Sequence, residues 1–360
     1  MARLIDNDAT ARVLETAEAV AVLEDAFTQL AENEATFQPR TDVVSPVTES
    51  SDDYEWDDDP EWYTWGSLLG AITDPPRLAL RFKSDVLSWD TSGDTIVESK
   101  YNVEPGTFMG FIFLFDSSTG ELLGLLNDGE LQHVRVGATA GVAADHLARE
   151  DASTVGMLGS GGMARTYLEA FAAVRDIETA RVYSPTRENR EAYAAEMGEA
   201  LGIDVEAVDG PEAAVADVDI AAACTDTRSP VYFEEWLSPG TFVTNTVPTE
   251  LDDAVLAAAD RVVTTDNRPF QRYVIGDEED DERYTRRHPE WFEAREYETL
   301  GEVLTGEGPA RTDPDETIVY DNISAGIQFA AVGNLVYERA VERDLGVEIP
   351  LSWFQQDIRN

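Results

Sequence analysis

A glycine-rich turn between an apolar segment and a helical pattern constrains the fold of this chain most strongly. Residues 154–164 read TVGMLGSGGMA, which places Gly159, Gly161 and Ala164 at G-x-G-x-x-A spacing. Gly159 permits the tight turn, Gly161 lets a pyrophosphate approach the backbone, and Ala164 lets the helix pack close to the strand. The alternative is a glycine-rich turn without a ligand. In that case no evident packing need would explain why three small residues occur at this spacing. The turn predicts a dinucleotide site that also includes the backbone of Ser160, Gly162 and Met163.

The segments that follow alternate between strand and helix patterns, which predicts a parallel sheet with helices on both faces. The fold class expected is therefore α/β, with a Rossmann-type parallel sheet. The predicted strands are Thr154–Leu158, Arg181–Tyr183, Ile220–Cys224, Thr241–Asn245 and Arg261–Thr265, and the predicted helices are Ala164–Val174, Arg187–Leu201 and Asp252–Ala258.

The remaining segments predict a second, discontinuous α+β domain. Apolar residues at helical spacing predict a helix over 11–35, followed by strands at Leu78–Ser84, Thr107–Asp116 and Glu121–Asn127. The last two would form a hairpin through a Ser-Ser-Thr-Gly turn. A turn and an amphipathic helix within 318–343 should return to this domain. Because 360 residues suit two domains, we expect a substrate-binding domain at 1–136 with 318–360 and a Rossmann domain at 137–317.

Charge excludes some partners and indicates an environment. The chain has 72 acidic and 26 basic residues, a formal net charge of −46, which disfavours nucleic acid and anionic membranes. The acidic residues are spread along the chain rather than gathered in a tail, so we interpret them as a hydrated surface adapted to concentrated salt. Residues 48–60 and 276–296 are acidic or highly charged and are expected to be solvated loops.

Cysteine content and the N-terminal pattern predict a cytoplasmic protein. The one cysteine, Cys224, excludes an internal disulfide and a multi-cysteine metal site, and we predict no metal. The N-terminus lacks the basic and apolar regions of a signal peptide. No apolar run reaches the ~18 residues that a membrane span needs.

The segment after the second predicted strand bears on cofactor choice. An acidic residue at this point would bind the ribose 2′-hydroxyl of NAD, whereas this chain has Ser184, Thr186 and Arg187. These side chains can bind a 2′-phosphate and so favour NADP over NAD. The plainer alternative, compatible with the first, makes Thr186 a helix cap and Arg187 a surface residue. Farther along the sheet edge, Cys224, Thr225 and Asn245 are candidate cofactor contacts, with Cys224 a buried hydrophobe rather than a nucleophile.

Several motifs, in order, make the sequence resemble the ornithine cyclodeaminase/mu-crystallin family. They include FIFLFDSSTGELLGLLNDG, LQHVRVGATAGVAADHLA, STVGMLGSGGMARTYLEAF, DIAAACTDTRSPVYFEEWLSPGTFVTN and the C-terminal SAGIQFAA. The resemblance covers most of the chain. It implies a homodimer joined through the non-Rossmann domain. It also implies activity as a cyclodeaminase, an amino-acid dehydrogenase or a reductase of cyclic imines, with an amino or imino acid as substrate.

The resemblance maps the residues that hold the substrate carboxylate to Lys83 and Arg135, and more loosely to Arg40. Lys83 is also a candidate independently of the resemblance. The chain has two lysines, and solubility does not explain why one of them lies inside an apolar strand. It would anchor a carboxylate or transfer a proton; a strand-edge lysine with its head in solvent is the alternative. Arg135 offers a bidentate fork or an ordinary ion pair. His133 is a proton relay or a structural histidine, and Glu250 and Asp226 are weaker relay candidates.

One departure from the family pattern bears on the reaction. Cyclodeaminases of this family carry an Asp shortly after the strand that corresponds to Thr241–Asn245, and the shorter segment NTVPTELD has no matching residue. Hydride transfer needs only a cofactor, a carboxylate anchor and a proton relay. The sequence therefore favours an NAD(P)-dependent oxidoreductase of α-amino or α-imino acids. The alternatives are a lyase that releases ammonia from a diamino acid and a non-catalytic protein that binds NADP or a metabolite.

Overall fold

Two sheets with helices packed on them form the molecule. The computed structural model describes residues 1–47, 62–90, 97–102, 107–268, 271–274 and 297–358. One sheet is parallel and Rossmann-type and the other largely antiparallel, which confirms the predicted fold class. The two predicted solvated loops, 48–60 and 276–296, lie outside the described residues.

The parallel sheet has eight strands in the described part of the chain. They lie in the order β10-β9-β8-β11-β12-β16-β13-β15, and every neighbouring pair is parallel. The five predicted strands are all present, with ends shifted by up to two residues. The bounds are β8 Thr154–Leu158, β9 Thr179–Tyr183, β10 Asp204–Ala207, β11 Ile220–Ala223, β12 Phe242–Asn245, β13 Arg261–Thr264, β15 Glu298–Thr299 and β16 Ile318–Asp321.

Helices connect these strands and extend into the second unit. The predicted helices after the glycine-rich turn, after the second strand and before Ala259 are confirmed. The predicted helix over 11–35 is shorter and is preceded by a separate turn of helix. The bounds are α1 Asn7–Ala11, α2 Thr16–Ala31, α3 Gly129–Leu147, α4 Gly162–Val174, α5 Arg187–Leu201, α6 Pro211–Val215, α7 Asp253–Ala258, α8 Leu300–Thr305 and α9 Gly326–Glu342, with 3₁₀ turns at Glu234–Trp236, Pro248–Glu250 and Leu351–Trp353. No described helix is both long and apolar enough to cross a bilayer.

The second sheet has the order β14-β2-β3-β4-β6-β7-β1-β17, with β5 paired to the end of β4. It is antiparallel except where β1 meets β7 and β14 meets β2. The predicted hairpin is confirmed as β6 and β7. The bounds are β1 Ala2–Ile5, β2 Ala35–Pro46, β3 Trp62–Ile72, β4 Arg77–Asp90, β5 Val97–Tyr101, β6 Gly110–Asp116, β7 Leu122–Asn127, β14 Gln271–Val274 and β17 Val347–Ile349.

The sheets divide the chain at points that differ from the predicted domain boundaries. Strand β16 was assigned to the returning segment but lies inside the parallel sheet, between β12 and β13. Strand β14 comes from the predicted Rossmann segment but pairs with β2. Helix α3 runs across the predicted boundary at 136/137 without a break. A short apolar strand carries no signal for which of two sheets it joins, so the pattern alone could not place β16 or β14.

Strand β4 has two chemically different faces because side chains alternate along a strand. Arg81, Lys83 and Asp85 are buried on one face, and Phe82 is half-buried on the other. Helix α9 covers the first face, with Phe329 packed against the Arg81 guanidinium. This alternation brings charged side chains of β4 to the side where the two sheets meet.

Candidate active site

A cleft of about 360 Å³ lies where the carboxyl ends of the parallel strands face the second sheet. Ligands of open α/β sheets bind at this edge. Residues of both sheets and of the connecting helix α3 line it. They are Arg40, Arg81, Lys83, Lys100, Phe108, Gly129, Gln132, His133, Val136, Met163, Thr225, Asp226, Thr246, Val247, Pro248, Asn322, Ile323 and Ser324.

The glycine-rich turn has the geometry that a dinucleotide pyrophosphate requires. Gly159 has φ +108°, and a Cβ there would lie 2.1 Å from the carbonyl oxygen of Cys224. Gly161 is the N-cap of α4, and a Cβ at this position would meet no protein atom within 4 Å. No side chain caps the helix, so its first N–H groups remain available to an anion. The residues of the turn therefore fit a dinucleotide.

The end of β9 presents hydroxyl groups rather than a carboxylate. Ser160 donates to Ser184 through their hydroxyls at 2.9 Å. Thr186 occupies the N-cap position of α5, but its side chain makes no capping hydrogen bond. Arg187 is 70% exposed and pairs with Glu191. Arg190, which the sequence did not single out, is buried and donates to the carbonyl oxygen of Ser184 at 3.0 Å, so it supports this loop from below.

Two loops that follow β11 and β12 are held together by Glu250. Its buried carboxylate accepts from the backbone N–H and hydroxyl of Thr225, and from the backbone N–H groups of Thr246 and Val247 at 2.8 Å. Burial raises the pKa of Glu250 to about 7. All three supported residues line the cleft, so Glu250 shapes its wall from behind.

Two other predicted cofactor residues lie behind the cleft wall. Cys224 is buried, and burial raises the pKa of its thiol, which agrees with a buried hydrophobe. Asn245 is buried as well: its side-chain N–H₂ donates to Asp321, and its side-chain oxygen accepts from the backbone of Asn322. Cofactor contact by either residue stays a prediction.

Lys83 lies between glycines on both neighbouring strands. It pairs with Gly66 of β3 and Gly110 of β6. A Cβ at Gly66 would meet Asp42 at 2.6 Å, and one at Gly110 would meet Asp128 at 2.6 Å. The glycines thus leave room for carboxylates beside the lysine.

The ammonium of Lys83 pairs with Asp85 on the same face of β4, and both side chains are at most 4% exposed. Lys83 is therefore a buried cation that lines the cleft, and its contact with a substrate carboxylate stays a prediction.

Arg40 joins Lys83 through an irregularity in β2. The pairing of β2 with β3 shifts register between Gln38 and Thr41, and a bulge of this kind redirects a side chain. Arg40 donates through Nε to Asp42 at 2.9 Å and lines the cleft. Arg40 and Lys83 thus line the same cleft, and the binding of a carboxylate by Arg40 stays a prediction.

Arg135 is placed differently from these two cations. It lies inside α3, and its terminal nitrogens donate to Ser324 and Gln328 at 2.8 Å and to Gln132 at 2.7 Å. Its guanidinium stacks on Phe329, and burial lowers its pKa to about 9, so it stays protonated at pH 7. Arg135 therefore supports cleft-lining side chains from behind, and its direct contact with a substrate carboxylate stays a prediction.

His133 lies at the junction of α3 with the dinucleotide helix. A Cβ at Gly162 would lie 2.8 Å from its ring, so the imidazole packs on the first turn of α4. Burial lowers the pKa of His133, which keeps the ring neutral at pH 7. The ring lines the cleft, but on the side of the dinucleotide turn.

Arg81 and Lys100 also line the cleft, and the sequence contains a signal for each of them. Arg81 precedes Lys83 by two residues, so strand alternation puts both on one face. It donates through Nε to Asp128 at 2.7 Å. Lys100 is the second of the two lysines in the chain, and the rarity of lysine is its signal in the sequence. Both lysines of this arginine-rich chain line the same cleft.

The parallel sheet, the dinucleotide turn and the buried cations define a Rossmann-type enzyme. A family model, the ornithine cyclodeaminase/mu-crystallin family, matches residues 97–344, and the chain belongs to this family.

Individual relatives agree with this membership. A Delta(1)-pyrroline-2-carboxylate reductase of Bacillus cereus is 31% identical over 71% of this chain and 78% of its own. An alanine dehydrogenase of Archaeoglobus fulgidus is 28% identical over 78% of this chain and 88% of its own. The structure of the Thermococcus litoralis Delta(1)-pyrroline-2-carboxylate reductase, in complex with NADH and L-proline, superposes with a TM-score of 0.77. It is 23% identical and covers 96% of this chain and 100% of its own.

Proposed function

We propose that the protein is an NAD(P)-dependent oxidoreductase that interconverts an α-imino acid and the matching α-amino acid. The observation that carries the proposal is a single cleft lined by the dinucleotide helix, through Met163, and by the buried cations Arg40 and Lys83. Reductases of a cyclic imine and an alanine dehydrogenase among the relatives support this reaction class.

The chain's own residues have distinct parts in this proposal. Arg40 and Lys83 hold the substrate carboxylate, and each is kept in position by an acidic neighbour, Asp42 or Asp85. The nicotinamide, when bound, supplies or accepts the hydride. Reduction also adds a proton at nitrogen, and we assign its donation to Lys83 rather than to His133, because His133 packs on the dinucleotide turn. Glu250 holds the loops that close the cofactor side.

The proposed cofactor is NADP in preference to NAD. Hydroxyls of Ser160, Ser184 and Thr186 surround the end of β9, where an NAD-binding chain usually places a carboxylate. Arg187 is exposed beside them and can turn from Glu191 to a phosphate.

The proposed assembly is a homodimer joined through the outward face of the second sheet. Four aromatic side chains are half-buried there: Trp65, Phe82, Phe111 and Phe113. The ring centroids of the other three lie 5.5 to 5.8 Å from that of Phe82. Helix α9 packs on the opposite face, so a second copy of the chain is the occupant proposed. Light scattering in molar KCl should give twice the chain mass, and Phe82→Asp should give the monomer.

The acidic composition supports a place in a salt-rich cytoplasm. The reaction is tested in molar KCl by mixing the protein with NADPH and a panel of imines and following the loss of NADPH absorbance. Consumption of NADPH in proportion to amino-acid product supports the proposal. Ammonia from a diamino acid without net NADPH change supports the lyase, and tight NADPH binding with no turnover of any imine or amino acid supports a binding protein.

A further inference from the structure

We propose that Gln132 and Ser324 donate hydrogen bonds to the substrate carboxylate, and that Arg135 holds both side chains in the orientation that this requires. This inference rests on the proposed function and adds two binding residues to the same site. Gln132 and Ser324 line the cleft. Arg135 lies directly behind them, hydrogen-bonded to both, and is 2% exposed. A ligand in the cleft would therefore meet these two neutral side chains before it met the guanidinium.

The orientation of the Gln132 amide follows from the chemistry of its neighbour. A guanidinium carries only hydrogen-bond donors, so the oxygen of the amide, and not its nitrogen, must face it. Nη2 of Arg135 donates to Oε1 of Gln132 at 2.7 Å. The amide N–H₂ is thereby turned away from Arg135, and it has no hydrogen-bond partner among the described residues. Because Gln132 lines the cleft, these N–H groups can bind a ligand there.

The hydroxyl of Ser324 is oriented in the same way. Its oxygen accepts from Nη1 of Arg135 at 2.8 Å, and the hydroxyl donates to no residue in the part of the chain that the structure describes. Ser324 follows β16 at the carboxyl edge of the parallel sheet, whereas Gln132 lies near the start of α3. One guanidinium thus directs N–H and O–H donors from two distant segments toward one cleft.

The charge behind these donors favours an anion over a neutral acceptor. Within the described residues, the hydrogen bonds of Arg135 all go to neutral oxygens, those of Gln132, Ser324 and Gln328, and its Nε has no partner. A group that accepts a hydrogen bond from a cation becomes a stronger donor on its other side. A carboxylate is anionic and accepts at two oxygens, so it can bind the amide and the hydroxyl together.

The position of Gln132 in the cleft favours the substrate over the nicotinamide. Asp128, directly before α3, packs against Gly110, and Gly110 pairs with Lys83. The start of α3 therefore lies beside the proposed carboxylate anchor, and Gln132 is one turn farther along this helix. The next residue, His133, packs on the dinucleotide turn instead. The two neighbouring residues thus serve different ligands.

The substitution Gln132→Glu, which preserves the shape of the side chain, separates donation from support. Glutamate keeps an oxygen for Arg135 but replaces the N–H₂ by an oxygen that repels a carboxylate. With NADPH and Δ1-pyrroline-2-carboxylate in molar KCl, the KM for the imine should rise about ten- to a hundredfold, as for loss of a hydrogen bond to a charged group. The kcat should stay within about threefold and the KM for NADPH within about twofold, because the lost contact affects substrate binding rather than hydride transfer.

Two further variants keep the test independent of how Gln132→Glu folds. Ser324→Ala removes only a hydroxyl and should raise the imine KM about tenfold, with the same split between KM and kcat. Gln328→Glu is the matched control, because it places the same charge against Arg135 but away from the cleft. Gln328 is buried, and its N–H₂ donates to Thr139. The imine KM should change less than about threefold in this control, since both cleft donors remain.

A double variant tests the positioning role of Arg135. Arg135→Met should raise the imine KM at least about tenfold and leave kcat within about threefold. Adding Ser324→Ala to it should raise the KM by less than about twofold more, because the hydroxyl has already lost its fixed orientation. Additive effects would show that Ser324 acts without Arg135, and the proposed arrangement would be wrong.

Three other results would overturn the inference. An unchanged imine KM in Gln132→Glu would leave Gln132 as a support of Arg135 alone. An equal rise in the KM for NADPH would assign the donors to the nicotinamide carboxamide, and an equal rise in Gln328→Glu would assign the effect to charge. In each case the wild type still reduces the imine, so the proposed function stands. If the wild type reduces neither Δ1-pyrroline-2-carboxylate nor the imine of pyruvate and ammonium, both proposals fall.

Discussion

The two sides of the cleft recognise their ligands by opposite means. On the cofactor side, recognition relies on the backbone and on missing side chains: Gly159 and Gly161 make room, and the first turn of α4 offers its N–H groups. On the substrate side, it relies on long charged side chains drawn from β2, β4 and β5, which are far apart in sequence. The first side is encoded within six residues, and the second by the register of a sheet.

The two sides of the cleft also differ in the charged side chains that they contain. Four basic residues and one acidic residue line a cleft in a chain whose net charge is −46. The carboxylates that accompany the basic residues, Asp42, Asp85, Glu98 and Asp128, are all buried. A buried ion pair contributes little net stability, but removal of one partner leaves an uncompensated charge at high cost. The cofactor side should therefore be sensitive to added atoms, and the substrate side to lost charge.

The largest effect is expected from Lys83→Met. Loss of the ammonium removes a carboxylate anchor and a proton donor, so kcat/KM should fall about a thousandfold. Asp85 would stay buried without it, and the free energy of unfolding should fall by about 3–5 kcal/mol. Denaturant unfolding and steady-state kinetics measure the two losses separately.

The double variant Lys83→Met/Asp85→Asn separates charge compensation from catalysis. It should recover much of the stability and none of the activity, because the introduced amide is neutral while the anchor is still missing. Recovery of activity in the double variant would contradict the role proposed for Lys83.

The next effect concerns pH and the carboxylate that shapes the cofactor side. The pKa of Glu250 is raised from 4.5 to about 7 by burial, so between these values the folded state binds more protons than the unfolded state. Stability from this group is complete below pH 4.5 and declines as pH rises through 7, by roughly 3 kcal/mol at most. Glu250→Gln removes the titration. The stability of the wild type relative to the variant should therefore decrease between pH 5 and pH 8.

The surface variant Glu235→Gln is the matched control for this comparison. Glu235 is exposed, so its substitution controls for the removal of one carboxylate from the surface. A stability difference for Glu250→Gln that does not change between pH 5 and pH 8 would show that burial of Glu250 does not hold its proton.

A third prediction contrasts two glycines of one turn. In Gly161→Val the new side chain would point into open space, so the melting temperature should not change. The dissociation constant for NADPH should rise about a hundredfold, because the valine blocks the pyrophosphate. Gly159→Ala meets the Cys224 carbonyl at a positive φ and should destabilise the fold itself. Thermal unfolding and fluorescence titration distinguish the two. Equal destabilisation by both variants would show that Gly161 is needed for folding rather than to leave room for the pyrophosphate.

The same contrast explains what the sequence could predict. The Rossmann sheet and its turn were predictable because strand, glycines and helix are contiguous and each residue has a local reason. Strands β2 and β3 were not predicted, since prolines and polar residues in β2 and two glycines in β3 weaken any strand pattern, and neither was the register that aligns Asp42, Gly66 and Lys83. Contacts set by register depend on which distant strands pair and how they align. A single sequence does not give this pairing.

Local sequence patterns also indicate further residues of the substrate side. Alternation along β4 was enough to add Arg81 to Lys83, and the rarity of lysine was enough to add Lys100. By contrast, the inward orientation of Arg135 depends on Ser324 and Gln328, nearly two hundred residues away. No local sequence pattern indicates that the guanidinium of Arg135 is already hydrogen-bonded within the protein.

The smallest predicted effect tests whether the cofactor side also uses a charged side chain. Arg187 is 70% exposed, and its pair with Glu191 is worth little, so turning to a 2′-phosphate costs it little. Arg187→Ala should weaken NADPH binding about tenfold and leave NADH within about twofold. Arg190→Ala is the matched control: it removes a buried support of the same loop and should weaken both coenzymes alike. Equal losses in Arg187→Ala would mean that this side reads its ligand through backbone and hydroxyls alone.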